Sequence, residues 1–434
     1  MSTALTLRDE VTGLLRELIR IDTTNPPGNE TKAAELLREY LGDNGVETEL
    51  IARVAERANL VARIRGGNGP RLLFLSHTDV VLADPSEWNA DPFGGELREG
   101  EVWGRGALDM KGQVAAEAVA IASLARDGFE PRGELIFAAT ADEEVGAGFG
   151  AQWLCEAHPE AVRADYCINE GAGERIELGG NAFYSCSVAE KMSAPFRLRV
   201  RGRSGHASMP SIADNALVKA APLVERLGTY APERNLIPEV EAMVKAVTGS
   251  PPASADEALE LARAASPLLG EFVEPLVSLT LTPTMISASQ KRNVVPAICD
   301  VTVDSRLLPG QTPAEAQAVV RRVLGDGDYE LEQIEAHGGT RSPMATPLWD
   351  AVESFVAGTE PGARPLPICV AGFTDSHWFR EAFGTVAYGF FPARVQDAEL
   401  AARLVHSADE RVPVDDVELG VDWLRHAAQQ LLGA

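Results

Sequence analysis

Five short segments hold the side chains that could do chemistry. They are Ser76-His77-Thr78-Asp79-Val80-Val81, the glycine-punctuated Gly104-Arg105-Gly106-Ala107-Leu108-Asp109-Met110-Lys111-Gly112, Thr140-Ala141-Asp142-Glu143-Glu144-Val145-Gly146, Asn169-Glu170-Gly171, and Val405-His406-Ser407-Ala408-Asp409-Glu410-Arg411. Taken singly, each has an ordinary explanation: a polar histidine after a strand, a solvated Glu-Glu pair, an aspartate that shapes a turn. Together they are harder to explain, because carboxylates gathered at one place repel one another unless cations hold them. Asp109, Glu144 and Glu170 bring three negative charges, and neutral His77 and His406 bring none. Two divalent cations then leave one positive charge, which a hydroxide shared between them balances. Imidazole with carboxylate suits Zn²⁺, with Co²⁺ or Mn²⁺ as substitutes. Asp79, two residues beyond His77, is placed to orient that imidazole, and Glu143 to move a proton between an attacking water and a leaving amine.

These segments need a scaffold, and the surrounding pattern supplies one. Helical spacing of Val11, Leu14, Leu15 and Leu18 predicts a helix over 8–20, and a second amphipathic helix covers 31–42. Strands are expected at 59–65 and 71–76, a helix at about 112–127, a strand at 134–140, a helix near 148–157 and a strand at 164–168. Short apolar runs such as Leu72-Leu73-Phe74-Leu75 suit strands buried on both faces. Strands alternating with helices predict an α/β fold with a mostly parallel sheet, and the first four chemical segments are expected at the carboxyl ends of strands, where such sheets bind ligands, with the His406 segment near the carboxyl terminus.

Past residue 190 the pattern changes. Phe196-Arg197-Leu198-Arg199-Val200-Arg201 alternates apolar and basic residues, a helix is expected at 214–227, strands at 276–286 and 299–308, a helix from Pro313 to about 324, and a strand at 329–334. Thr312 and Glu315 form a capping-box pattern around Pro313. The order β-α-β-β-α-β is ferredoxin-like. A second α+β domain is therefore expected at 193–337, with a helical insertion at about 230–272, between two halves of the first domain at 1–192 and 338–434.

The combination of His-x-Asp, Gly-Arg-Gly-x-x-Asp-Met-Lys-Gly, Asp-Glu-Glu and the later Glu and His resembles the M20 metallopeptidase family. The likeness runs over nearly the whole chain, from Leu18-Ile19-Arg20-Ile21-Asp22-Thr23-Thr24-Asn25-Pro26-Pro27 onward. It implies a zinc-peptidase-like catalytic domain with a lid domain. It also implies that Asp109 bridges two ions, with His77 and Glu170 completing one coordination set and Glu144 and His406 the other. Glu143 matches the family's general base and Asp79 its ligand-orienting acid. In the lid, Gly202-Arg203-Ser204-Gly205-His206 looks like the family's segment in which His206 would hydrogen-bond the oxyanion. Asn293 and Arg306 resemble residues that hold a substrate carboxylate, and Gly372-Phe373-Thr374-Asp375 resembles a Gly-Gly-Thr-Asp loop, placing Gly372 and Thr374 near substrate. Phe373 replaces the second glycine there, and Ala189-Glu190-Lys191-Met192 departs from the usual Gly-Glu-Lys-Gly.

The resemblance implies a di-metal hydrolase acting on an amide bond beside a free carboxylate, in a small N-acyl amino acid or a dipeptide. Deacylase and dipeptidase or carboxypeptidase activities stay open, as does a relative that binds without catalysis. Members dimerise through the lid or complete it otherwise, so a homodimer is one implied arrangement, and whether His206 acts within its own subunit stays open.

Composition narrows the partners. The 434 residues carry a formal charge of −25, which repels nucleic acid and anionic lipid. No run reaches the roughly 18 consecutive apolar residues of a membrane span. The first ten residues show no basic segment followed by an apolar one, and five scattered cysteines without a Cys-x-x-Cys pair suit neither a disulfide framework nor a thiolate zinc site. A cytoplasmic enzyme with reduced thiols is expected.

Overall fold

The structure is a computed structural model that describes residues 6–433; the first five residues, on which the reading of the amino-terminal segment partly rests, and Ala434 lie outside it. Two compact units are present: 1–188 with 342–368 and 374–434, and 189–341 with 369–373.

The first unit is built on a nine-stranded sheet. Its order is Glu47–Ala52, Ala58–Arg65, Glu134–Thr140, Arg71–His77, Tyr166–Asn169, Val386–Gly389, Asn181–Glu190 and Arg364–Val370, with Arg175–Leu178 paired to Asn181–Glu190. The middle of the sheet, from Glu134–Thr140 through Val386–Gly389, is parallel, while Ala58–Arg65 joins it antiparallel on one side, followed by antiparallel Glu47–Ala52, and Asn181–Glu190 joins it antiparallel on the other. Alternate residues of Arg71–His77 point to opposite faces. Leu72 and Phe74 enter one apolar core with the helices Leu7–Ile19, Thr31–Asp43, Lys111–Arg126 and Val414–Leu432, and Leu73 and Leu75 enter another with Ala151–Ala157. Each fully buried leucine there stabilises the unit by about 1.5–3 kcal/mol.

Leu7–Ile19 starts where Thr6 accepts the Asp9 amide and buries the Val11, Leu14, Leu15 and Leu18 stripe. Lys111–Arg126 is of another kind: every residue from Lys111 to Leu124 is buried. Its lysine Nζ donates to the carbonyls of Leu18 (3.0 Å) and Ile21 (2.8 Å), tying its first turn to the end of Leu7–Ile19. Its Glu117 accepts from Ser76 Oγ (2.6 Å) and Gln113 Nε2 (2.9 Å), and burial pushes that carboxyl up to about 8.

The helix expected near 148–157 begins only at Ala151, because the amides of Gly146 and Ala147 turn back onto the Asp142 carbonyl and residues 146–150 are spent in that turn. Asp109 is not at the end of a strand of the main sheet. It follows Glu101–Trp103, which pairs with Glu96–Arg98 and Arg411–Pro413 in a small separate sheet.

The second unit has the ferredoxin-like wiring. Tyr329–Gln333, Phe196–Arg201, Ile298–Leu307 and Thr280–Ser287 lie side by side, all antiparallel, and Ala216–Gly228 and Pro313–Leu324 pack on them over Leu198, Val200, Val301 and Val303. The capping box of Thr312 and Glu315 is formed. Ala216–Gly228 starts two residues later than expected because Asn215 caps it, accepting from Leu217 and Val218. The strand expected from 276 starts at Thr280, behind a short 3-10 turn at Glu274–Leu276. The segment between Gly228 and Glu274 holds the helices Pro238–Thr248, Ala255–Ala265 and Pro267–Val273. No helix among the described residues is long and apolar enough to cross a membrane.

Candidate metal centre

Three strand ends and two loops of the first unit converge. His77 closes Arg71–His77, Glu143 and Glu144 follow Glu134–Thr140, Glu170 follows Tyr166–Asn169, Asp109 ends the turn after Glu101–Trp103, and His406 lies between Ala398–Leu404 and Arg411–Pro413. Parallel strands pointing the same way put the first three groups on one edge. The two oxygens of Asp109 face different histidines: Oδ1 is 3.2 Å from His77 Nε2 and Oδ2 is 2.9 Å from His406 Nε2. Glu170 Oε1 stands 3.8 Å from His77 Nε2, and Glu144 Oε2 stands 3.3 Å from His406 Nε2.

Metal bonds of about 2.0–2.2 Å at tetrahedral angles separate ligand atoms by about 3.3–3.6 Å. The observed separations bracket that range, so these donors are spaced as ligands of a cation would be. A second observation agrees: Glu144 Oε1 is buried without a hydrogen-bond partner, a costly state that a cation would relieve. His77, Asp109 and Glu144 offer atoms within 4.8 Å of one another, and so do His77, Glu143 and Glu170. Distance alone therefore does not separate Glu143 from the ligands.

The titration of the cluster follows from crowding. Burial, and then the neighbouring Glu170, push the Glu143 carboxyl well up; burial and then Asp109 do the same to Glu170. Burial pulls His77 down, but hydrogen bonds to Asp109 and Asp79 outweigh it and its imidazole ends well above the usual value. Hydrogen bonds to Asp109 and Glu144 raise His406 to about 10. Burial lifts Asp109, but its bonds from His406 and His77 leave it below the carboxylate range.

Asp79 organises the back of the site. His77 Nδ1 lies 3.0 Å from the Asp79 carbonyl and 3.4 Å from its Oδ1. The same carboxylate accepts the amides of Glu143 and Glu144, both at 3.2 Å, so one side chain sets a histidine and the Glu-Glu loop together. Asn25 Nδ2 links Asp79 (2.8 Å) to Asp142 (3.0 Å). Asp142 is paired with Arg57 at 2.9 Å, and Arg57 grips buried Glu30 through two bonds of 2.6 Å. Asp142 is left-handed at φ 70°, a conformation uncommon for a side-chain-bearing residue. Asn25, Glu30, Arg57 and Asp142 carry no role legible in the sequence, although Asp142 adjoins Glu143 and Asn25 lies in the Leu18–Pro27 segment.

Thr374 accepts from the Ser376 amide (3.3 Å), and its methyl lies 3.6 Å from where a side chain at Gly171 would begin, so it flanks the Glu170 turn. Asp375, also without a predicted role, meets Thr140 Oγ1 at 3.3 Å, and burial raises its carboxyl to about 7.

The remaining sequence-predicted residues belong to the second unit. His206 pairs with Val294, its Nδ1 is 2.7 Å from Ser208 Oγ, and the Ala207 amide bonds the Asn293 carbonyl at 3.0 Å, so His206 and Asn293 are neighbours. Arg306, on Ile298–Leu307, makes two 3.1 Å bonds to Asp304. Gly372 precedes Phe373, which packs on Gly338, with its ring 6.1 Å from that of His337.

Comparison with known proteins adds the following. The sequence model described as Peptidase family M20/M25/M40 matches residues 73–430. A succinyl-diaminopimelate desuccinylase of Magnetococcus marinus is 29% identical over 429 residues, covering 96% of this chain and 97% of the relative. Another from Methylobacterium nodulans is 30% identical over 417 residues, covering 93% and 92%. Among solved structures, the M20 family metallo-carboxypeptidase Sso-CP2 from Sulfolobus solfataricus is alike in fold, with a TM-score of 0.75 at 19% identity over 98% of this chain and 99% of that one. The di-peptidase Dug1p of Saccharomyces cerevisiae gives 0.69 at 15% over 98% and 96%.

Proposed function

Because the chain belongs to peptidase family M20/M25/M40, a family of metal-dependent hydrolases, we propose that it cleaves the amide bond of a small N-acyl amino acid or short peptide beside a free carboxylate. The observation that carries this reading is the Asp109 carboxylate facing His77 with one oxygen and His406 with the other, within a ring of further carboxylates. His77, Asp109 and Glu170 would hold one cation, and Asp109, Glu144 and His406 the other, with zinc favoured by the imidazole and carboxylate set. When bound, such a pair supplies positive charge that polarises the scissile carbonyl and acidifies a water.

The chain's own groups do the rest. Glu143, whose amide is held by Asp79, takes the proton of the attacking water and returns it to the departing nitrogen. His206, with Nδ1 engaged by Ser208, is proposed to donate from Nε2 to the developing oxyanion. Asn293 and Arg306 are proposed to grip the substrate carboxylate, with Gly372 and Thr374 bordering the substrate.

The succinyl-diaminopimelate desuccinylases among the relatives favour an acylated diamino acid as substrate over a dipeptide. Buried, unpaired Cys155, Cys167, Cys186, Cys299 and Cys369 agree with a cytoplasmic setting. Exposed Met285 and Ile286 on Thr280–Ser287, and exposed Leu217 and Val218 on Ala216–Gly228, support a homodimer formed through the second unit.

The test is a hydrolysis panel of N-succinyl-diaminopimelate, N-acetyl amino acids and dipeptides on zinc-loaded protein, run beside Glu143→Ala. The variant is expected to keep its metal and lose at least about a hundredfold in turnover. Near-parental turnover contradicts the role of Glu143, and no hydrolysis of any of these amides contradicts the proposal.

A further inference from the structure

We infer that Glu410 sets the position of His406 against Asp109 and thereby the affinity of the cation site that these two side chains share with Glu144. The inference rests on the ligand assignment above and gives that site a positioning residue. Glu410 is fully buried. Its Oε1 accepts the amides of Leu108 (2.8 Å) and Asp109 (3.0 Å), and its Oε2 accepts the Gly106 amide (3.0 Å) and Arg105 Nη1 (2.6 Å). Its main-chain carbonyl accepts from Gly104 at 2.9 Å. The whole turn that presents Asp109 is therefore wrapped around one carboxylate. Arg105 is itself fixed, with its guanidinium 5.3 Å from the Trp88 ring centre and bonded to the Leu82 carbonyl at 3.2 Å.

The other end of the link is a proposed ligand held by no strand: His406 stands two residues past the helix Ala398–Leu404, to which the Val405 and Ser407 amides bond back. His77 and Glu170 stand at or just past the ends of paired strands, but His406 lies in a loop with φ 60° at both His406 and Asp409. Such backbone persists in residues other than glycine only where the surroundings hold it. Several contacts do so: Asp409 accepts from the Asn89 amide (2.7 Å) and Asn89 Nδ2 (2.6 Å), its carbonyl accepts from Arg411 Nη1 (2.9 Å), and Glu410 takes the Asp109 turn. Glu410 thus joins the two loops that must agree in position, and its loss would move His406 relative to Asp109 while leaving His77 and Glu170 on their strands. A glutamine there presents one oxygen and one NH₂ group to a nest of donors, so it cannot replace the carboxylate.

The experiment titrates zinc into metal-free parent, Glu410→Gln and Glu410→Asp against a chromogenic chelator, with thermal unfolding of each metal-free protein alongside. The parent is expected to bind two equivalents; in Glu410→Gln, which leaves buried Arg105 without its counter-charge, the metal-free melting temperature falls, and in the protein that remains folded one equivalent weakens about 10–100-fold while the other, which shares Asp109, weakens distinctly less. If Glu410→Gln does not fold, Glu410→Asp decides by the same criterion, since it keeps the charge but is too short to serve all four donors. Parental affinity at both sites in a folded variant overturns the inference. So does an equal loss at both sites, which marks general destabilisation, and so does failure of both variants to fold. A parent that binds no zinc overturns the ligand assignment instead.

Discussion

Arg57 offers a test of how the site is held from behind. Its guanidinium is buried between fully buried Glu30, which it grips at 2.6 Å through two nitrogens, and Asp142 at 2.9 Å. Arg57→Met removes the cation and leaves Glu30 buried with no counter-charge, which costs about 3–5 kcal/mol. With a urea slope of about 3 kcal/mol per molar, the unfolding midpoint of the metal-free protein should fall by about 1–2 M. The cost should also depend on pH. Burial already raises the Glu30 carboxyl and Arg57 is the main opposing influence, so the variant holds Glu30 protonated when folded. A carboxyl whose folded pKa exceeds its unfolded value contributes stability below the unfolded pKa and loses it as pH rises, so the penalty should be larger at pH 8 than at pH 5. Adding Glu30→Gln should recover most of the loss, because no uncompensated charge remains at that position. The assay is urea unfolding followed by tryptophan fluorescence, at both pH values, for the parent, the two single variants and the double variant. A loss below about 1 kcal/mol in Arg57→Met, or strict additivity in the double variant, would refute the reasoning.

Three further outcomes are expected. Asp79→Asn, which weakens the hold on His77 and on the amides of Glu143 and Glu144, should lower zinc affinity about 10–100-fold in an equilibrium chelator competition. Glu117→Gln should raise the melting temperature at pH 8 and change it little at pH 5, because the Glu117 carboxyl, raised to about 8 by burial, stabilises the fold when protonated and loses that contribution as pH rises from the ordinary carboxylate range through about 8; an equal effect at both pH values would contradict this. Zinc loading should release protons, since His406 is raised to about 10 and must lose its proton to coordinate, so apparent affinity should weaken as pH falls; calorimetry in buffers of different ionisation enthalpy reads the number released.

The sequence carried the periodic parts of the fold well, and for a physical reason: an apolar run such as Leu72–Leu75 or the capping box at Thr312 reports a local requirement that neighbours in sequence satisfy. The proposed ligand residues stood out only as a set, because each alone has an ordinary explanation and several ionisable side chains gathered together do not. The small sheet joining Glu101–Trp103 to Arg411–Pro413 was not, since strands of three residues carry no period and their partners lie far apart in the chain. The same holds for the supports. Arg57, Glu30 and Asn25 acquire meaning only once folding has placed them behind Asp79, and Glu410 and Asp142, each adjoining or near a predicted ligand, looked like loop acids until their backbone partners were known.

The helix Lys111–Arg126, buried from Lys111 to Leu124, has a consequence for how the chain can change in length. Each residue added to or removed from an α-helix turns all that follows by about 100°. A helix with a wet side can absorb such a turn by trading exposed positions, but this one has no wet side, so a one-residue insertion would swing Glu117 away from Ser76 and drive its alanine surface into neighbours spaced for other side chains. Length variation among related chains should therefore avoid this stretch and collect in segments such as 249–254, between two helices of the second unit, where a longer connection disturbs no packed face.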